Sequence, residues 1–141
     1  MTTPTPVDVR GAQHGHVISK GQVLAGRILS GLATLFFLWD GVMKLLKPAV
    51  VVKATRDLGY PESEILGIGV ALLACTLLYL FSRTSILGAI LLTGYLGGAI
   101  ASQVRAEASW FNVVFAFGFS CLVWGGLWLR DVRVRGFLKK S

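Results

Sequence analysis

The sequence predicts an all-α membrane protein: a bundle of four transmembrane helices, with a short amphipathic helix in the membrane interface between helices 1 and 2. Three observations carry this reading. Hydrophobic residues make up 54% of the 141 and charged residues only 15%, against about 25% charged in an ordinary soluble domain. The shortfall is concentrated in the uncharged runs Ile65 to Ser82, Thr84 to Val104 and Ala108 to Leu129, of 18, 21 and 22 residues. Each is close to the roughly 20 residues a helix needs to cross about 30 Å of hydrocarbon. The basic residues gather beside these runs rather than within them, as expected where chain ends meet anionic lipid.

In chain order, residues 1–22 are polar and lack the apolar centre of a signal peptide, so they are expected to form a disordered cytoplasmic tail. His14 and His16 lie in that tail, and two ligands on a flexible segment make no metal site. The membrane domain is expected over 23–131. Its first span, about 24–46, holds the run LSGLATLFFLW and carries Asp40 and Lys44 near its far end. Pro48 suits a helix start, while Gly59 and Pro61 mark a stop, which predicts a short helix over about 48–58. Val50, Val51, Ala54 and Leu58 share one face of it, and Lys53, Arg56 and Asp57 the other. That pattern fits a helix lying in the interface, or equally one packed on the bundle outside the membrane.

The second span, about 65–82, follows Glu62 and Glu64, acids that a helix N-terminus favours. The short turns Ser82 to Ser85 and Arg105 to Ser109 make the spans at about 65–82, 86–104 and 110–129 antiparallel neighbours. Tyr60, Trp110 and Trp128 fall near the expected interfaces, whereas Trp39, Tyr79, Tyr95 and Trp124 fall deeper. Residues 132–141 form a basic C-terminal tail suited to anionic lipid head groups. With both termini on one side, that side holds nine basic residues and the other five. The bias places both termini in the cytoplasm.

The residues that carry chemistry are few. Asp40 and Lys44 lie four apart on one helical face. Charges within a span usually face a bundle interior or a watery cavity, so the pair is either a structural ion pair or a ligand- or proton-linked site. Gly26, Ser30 and Ala33 continue the Asp40 face as a small-residue stripe, and Gly94 and Gly98 form a GxxxG pair; both patterns suit close helix packing. Gln103, Arg105 and Asn112 lie at the same membrane level as Asp40, and Tyr95 is deeper. Together with Asp40 and Lys44 they are the candidate ligand or proton-linked residues. Phe111, Phe115, Phe117 and Phe119 line the fourth span, as lipid contact, as core, or as a site for a flat ligand such as a quinone. Cys75 and Cys121 lack metal-ligand spacing and are expected to be small buried hydrophobes. There is no phosphate-binding loop, no HExxH and no histidine within a span, which removes nucleotide, zinc-protease and haem chemistry. Catalytic and metal-binding residues are therefore expected to be absent, and the flanking placement of the basic residues argues against nucleic acid as a partner.

The motifs DGVMKL, LGYP, RTSILGAILLTGYLGGA and WGGLWLRD, spread over Arg27 to Arg135, resemble the DoxX-like family of small bacterial membrane proteins. The resemblance implies a location in the bacterial inner membrane. It also implies an accessory role linked to quinone or redox chemistry, since the family name comes from a subunit associated with a thiosulfate:quinone oxidoreductase. The family's recurrent Asp and Lys correspond to Asp40 and Lys44 and its arginine to Arg105; where many members carry a histidine, this chain has Gln103. Three functions stay open: a quinone-linked or redox-partner subunit without catalytic activity of its own, a small proton-coupled transporter, and a non-catalytic scaffold or assembly factor. The partners expected are the bilayer, a second copy of the chain, or a membrane or redox protein.

Overall fold

The computed structural model describes residues 18–139. The expectations for His14, His16 and most of the N-terminal tail lie outside the described residues. Six helices follow in order: α1 Lys20–Leu46, α2 Ala49–Asp57, α3 Glu64–Leu80, α4 Ser85–Arg105, α5 Trp110–Arg130 and α6 Val132–Lys139. Among the described residues there is no strand.

The helix ends follow local chemistry. Ser19 caps α1 by accepting from the Gln22 backbone N–H at 3.3 Å, so Lys20 to Gln22 form a first helical turn rather than part of the tail. Lys47 adopts the left-handed conformation that ends α1 (φ 48°, ψ 51°), and its N–H donates to the Met43 carbonyl. Ser109 caps α5 by accepting from the Phe111 N–H at 3.3 Å. Residues 132–139, expected only as a basic tail, form helix α6.

α1, α4 and α5 are each long and apolar enough to cross a membrane. α3 is apolar but shorter than the expected span, because Phe81 turns extended (φ −78°, ψ 126°) and ends it at Leu80. Its 17 residues make a helix about 26 Å long.

The four long helices form a ring. α1 packs on α3 and α5, and α4 packs on the same two helices from the opposite side. Phe37, Leu72, Tyr79, Leu92, Val123 and Leu127 meet at its centre. The outward faces are apolar as well: Leu35, Val70, Ile90 and Phe117 are 68%, 53%, 54% and 63% exposed. Such a surface suits hydrocarbon and not water.

Glycines set the close approaches. A Cβ on Gly26 would stand 2.8 Å from the Arg130 nitrogen, and one on Gly126 would stand 2.9 Å from the Ser30 nitrogen, so α1 and α5 touch nearly backbone to backbone. Ser30 and Ala33 are buried on the same face of α1. At the other end of α1, a Cβ on Gly69 would stand 2.8 Å from the Lys44 Cβ and 3.2 Å from the Gly41 carbonyl, which marks the α1–α3 crossing. α3 and α4 meet where a Cβ on Gly88 would stand 2.2 Å from the Tyr79 nitrogen. The expected packing pair Gly94 and Gly98 differs from these: both are exposed, with no atom within 4 Å of either Cβ position. The packing face of α4 runs instead through Gly88, Ala89, Leu92 and Leu96.

A hydrogen-bonded knot closes the end where the helix pairs α1–α5 and α3–α4 converge. The Tyr79 hydroxyl donates to the Val123 carbonyl at 2.8 Å and so accepts from the Ser30 hydroxyl at 2.9 Å. Arg130 donates to the Tyr79 carbonyl at 2.8 Å and lies over the tyrosine ring at 4.7 Å. α6 is strapped to the same end. Arg135 donates to the carbonyls of Trp128 and Leu129, at 2.8 and 3.2 Å, and Arg133 donates to the Ser82 carbonyl and to Asp131. Arg130 and Arg135 therefore occupy helix-terminal carbonyls that nothing within a helix satisfies, while Arg133 holds the turn between α3 and α4. Burial alone would raise the Asp131 pKa, but hydrogen bonds from Arg133, and from the Ser85 hydroxyl, outweigh it and hold the carboxyl below its usual range.

Cys75 is half-buried against the core, whereas Cys121 is exposed on α5 and is not the buried hydrophobe expected. Trp39 is 60% exposed, on the face of α1 turned away from its neighbours.

Gly88→Ala is expected to lower the melting temperature in detergent, with a cost of about 1–3 kcal/mol for overpacking. Gly97→Ala, where a Cβ meets nothing within 4 Å, is expected to be neutral or stabilising by up to about 1 kcal/mol. Because the folded pKa of Asp131 lies below its unfolded value, its stabilisation is complete above the unfolded value, near pH 4, and is lost as pH falls through the folded one. The melting-temperature gap between wild type and Asp131→Asn is therefore expected to hold at neutral pH and to close on acidification below about pH 4.

Candidate functional site

At the end opposite the knot, the four long helices line a half-open cavity of about 510 Å³. Its volume falls in the range of small-molecule sites, roughly 300–1,000 Å³. α2 covers it, with Thr55 buried and both Thr55 and Leu58 facing in. The face of α2 turned to the cavity carries Thr55, its hydroxyl satisfied by the Val51 carbonyl at 2.8 Å, while Val50 is 78% exposed.

One wall is aromatic. Phe36 stacks on Phe119 with ring centroids 4.2 Å apart, and Phe115 sits 4.8 Å from Phe119 and 5.4 Å from Phe36. The facing wall, on α4, is bare: Gly94 and Gly98 line the cavity, and the space a side chain would fill there is open. Within the described residues these two glycines border the cavity, with no helix of the chain packed against them.

Polar groups gather towards α2. Lys44 Nζ donates to Asp40 Oδ2 at 2.5 Å, and the two side chains are 16% and 30% exposed. The α1–α3 crossing presses the Lys44 stem onto Gly69, and the ammonium turns back along α1 onto Asp40. Among the described residues Lys44 is the one side chain that donates to this carboxylate, which leaves its second oxygen available to a ligand or to water. Asn112 Nδ2 donates to Gln103 Oε1 at 3.4 Å, bridging α5 and α4. The Ser102 hydroxyl donates to the Gly98 carbonyl at 2.8 Å, so the Tyr60 hydroxyl is the donor in their 2.7 Å contact. That bond ties the segment after α2 to α4. Among the described residues no cluster of three or more His, Cys, Asp or Glu that could hold a metal is present.

Five of the six candidate residues, Asp40, Lys44, Tyr95, Gln103 and Asn112, line this one cavity. Arg105 does not. It is exposed and donates to the Leu58 carbonyl at 3.3 Å, so it anchors the segment after α2 from outside. Sequence reasoning missed Phe36, Thr55 and Tyr60 as lining residues. Helical spacing carries a signal for the first, since Phe36, Asp40 and Lys44 recur every fourth residue. No local pattern marks Thr55 or Tyr60, which reach the cavity only because α2 folds back over it.

These features define a class: an integral membrane protein with apolar outer faces and a partly polar, small-molecule-sized cavity among its helices. Residues 28–126 match the DoxX-like family, and the chain belongs to that family. No curated protein and no solved structure matches it.

Lys44→Met leaves the Asp40 carboxylate without its donor and is expected to cost stability, towards the lower end of about 1–3 kcal/mol given the partial exposure. Asp40→Asn combined with Lys44→Met is expected to recover part of that loss. A double-mutant cycle on melting temperatures in detergent measures the coupling.

Proposed function

We propose that this DoxX-like protein crosses the bacterial inner membrane four times with both termini in the cytoplasm, and binds a quinone-class molecule as an accessory, non-catalytic subunit of a redox assembly. The single observation that carries the reading is the pairing, in one cavity, of a stacked aromatic wall with a polar group of Asp40, Lys44, Tyr95, Gln103 and Asn112. A flat ring gains from the phenylalanines. Its carbonyl oxygens need donors, which the Lys44 ammonium, the Tyr95 hydroxyl and an amide supply. A bound quinone would bring the electron chemistry; the chain's own residues hold the ring, shield it from water and keep a carboxylate beside it.

Four crossings are supported by the place of α3, which packs between α1 and α4 and turns Leu66, Val70 and Leu77 outward. A span of about 26 Å needs only slight local thinning of the bilayer. Orientation is supported by charge. Among the described residues the α6 end holds seven basic side chains and one acid, Asp131, whereas the α2 end holds five of each. The more basic end belongs in the cytoplasm, which leaves α2 in the opposite interface.

Protein extracted in mild detergent is expected to carry quinone, detectable after solvent extraction, and to bind a short-chain quinone saturably. Gly98→Leu is expected to weaken that binding about tenfold or more, equivalent to ~1.4 kcal/mol or above, with the fold retained. Quinone-free protein that shows no saturable binding overturns the reading. The Asp40 carboxylate in the cavity wall favours a second reading, proton-coupled transport, for which Asp40→Asn must abolish substrate-driven proton flux in liposomes.

A further inference from the structure

A second concavity, of about 640 Å³, lies at the other end of the molecule, between α4, α5 and α6, and is walled by Ile86, Trp124, Gly125, Trp128, Val134 and Phe137. Every lining residue is apolar or aromatic, and the Trp124 indole N–H is already spent on the Thr93 hydroxyl at 2.8 Å. The floor is open because a Cβ on Gly125 would meet nothing within 4 Å. Phe137 is 75% exposed at the rim.

The rim is cationic. Arg135 lies over the Trp128 ring at 4.7 Å, held there by its bonds to the Trp128 and Leu129 carbonyls. Lys139 follows one helical turn later in α6, on the same face as Arg135. Seven basic side chains share this end with Asp131, which Arg133 already engages at 3.1 Å. Positive charge is thus in excess beside an apolar groove. A second copy of the chain seated here would bring the same excess and be repelled, whereas an anionic amphiphile would be attracted to the charge and would fill the groove.

We propose that this groove holds an acyl chain of an anionic phospholipid, with the phosphate against Arg135 and Lys139. α6 then serves as a lipid clamp: Val134 and Phe137 close over the chain while Arg135 and Lys139 meet the head group. The site lies at the opposite end from the α2-covered cavity and does not depend on what that cavity binds.

The test uses the full chain with Trp39 and Trp110 replaced by phenylalanine, so that Trp124 and Trp128, both in the groove wall, report. The protein is placed in phosphatidylcholine vesicles containing increasing phosphatidylglycerol, with brominated acyl chains on one lipid at a time. Phosphatidylglycerol is expected to quench the two tryptophans at a lower mole fraction than phosphatidylcholine. Lys139→Gln is expected to reduce that preference about fivefold, the effect of one basic residue near the surface. Gly125→Leu, whose Cβ would meet nothing within 4 Å and whose side chain would enter the groove, is expected to abolish it. Circular dichroism confirms that each variant is folded. Equal quenching by the two lipids overturns the proposal, and so does a preference that survives Gly125→Leu.

Discussion

The close approach of α1 to two neighbours, at Gly26 and Gly126 on one side and at Gly41 and Gly69 on the other, is the contact on which the rest of the structure depends. In lipid the hydrophobic effect does not drive one apolar helix onto another. Helices are held by van der Waals contact and by hydrogen bonds that hydrocarbon cannot replace, and both need the backbones to come near. α1 has glycine contacts at both ends, so it is fixed against α5 near the knot and against α3 near the cavity. α4 is pressed at one end only, where Gly88 meets the Tyr79 backbone. Its other glycines face open space, and the cavity occupies that half of the bundle.

The two ends of the molecule therefore divide their tasks. At the α6 end the polar groups of the knot are used within the chain: Tyr79 bonds three partners, and Arg130 and Arg135 cap carbonyls of α3 and α5. Such a network is rigid because each member is satisfied and water is scarce. Around the cavity at the α2 end the polar groups are only partly satisfied. Among the described residues Asp40 has one donor, and Gln103 and Asn112 share one long bond. Unspent hydrogen-bonding capacity beside an aromatic wall is what a ligand can use, while the closed knot gives it a stable frame.

α2 joins the two levels of organisation. Its own contacts are weak: the Lys53–Asp57 and Arg56–Glu62 ion pairs are exposed, and such pairs contribute little. What places it are Thr55, packed inward, the Tyr60–Ser102 bond, and Arg105 on the Leu58 carbonyl. Arg105 thus belongs to the support of the cover. The glycines at 94 and 98 likewise belong to the space beneath it.

The helices were legible in the sequence because length, apolarity and flanking charge are local properties, and a bilayer imposes them on each span separately. The grouping of Asp40 with Gln103 and Asn112 was legible for the same reason, since membrane depth can be counted along each helix. Rotation about a helix axis cannot be counted in this way. A GxxxG pair reads the same whether it faces a neighbour or a cavity, and an arginine at a helix end reads the same whether it meets lipid or a carbonyl. Those choices depend on which faces of four helices meet, and only the tertiary structure decided them. It assigned the contacts to Gly41, Gly69, Gly88 and Gly126, left Gly94 and Gly98 open, and folded α2 back over the space they leave.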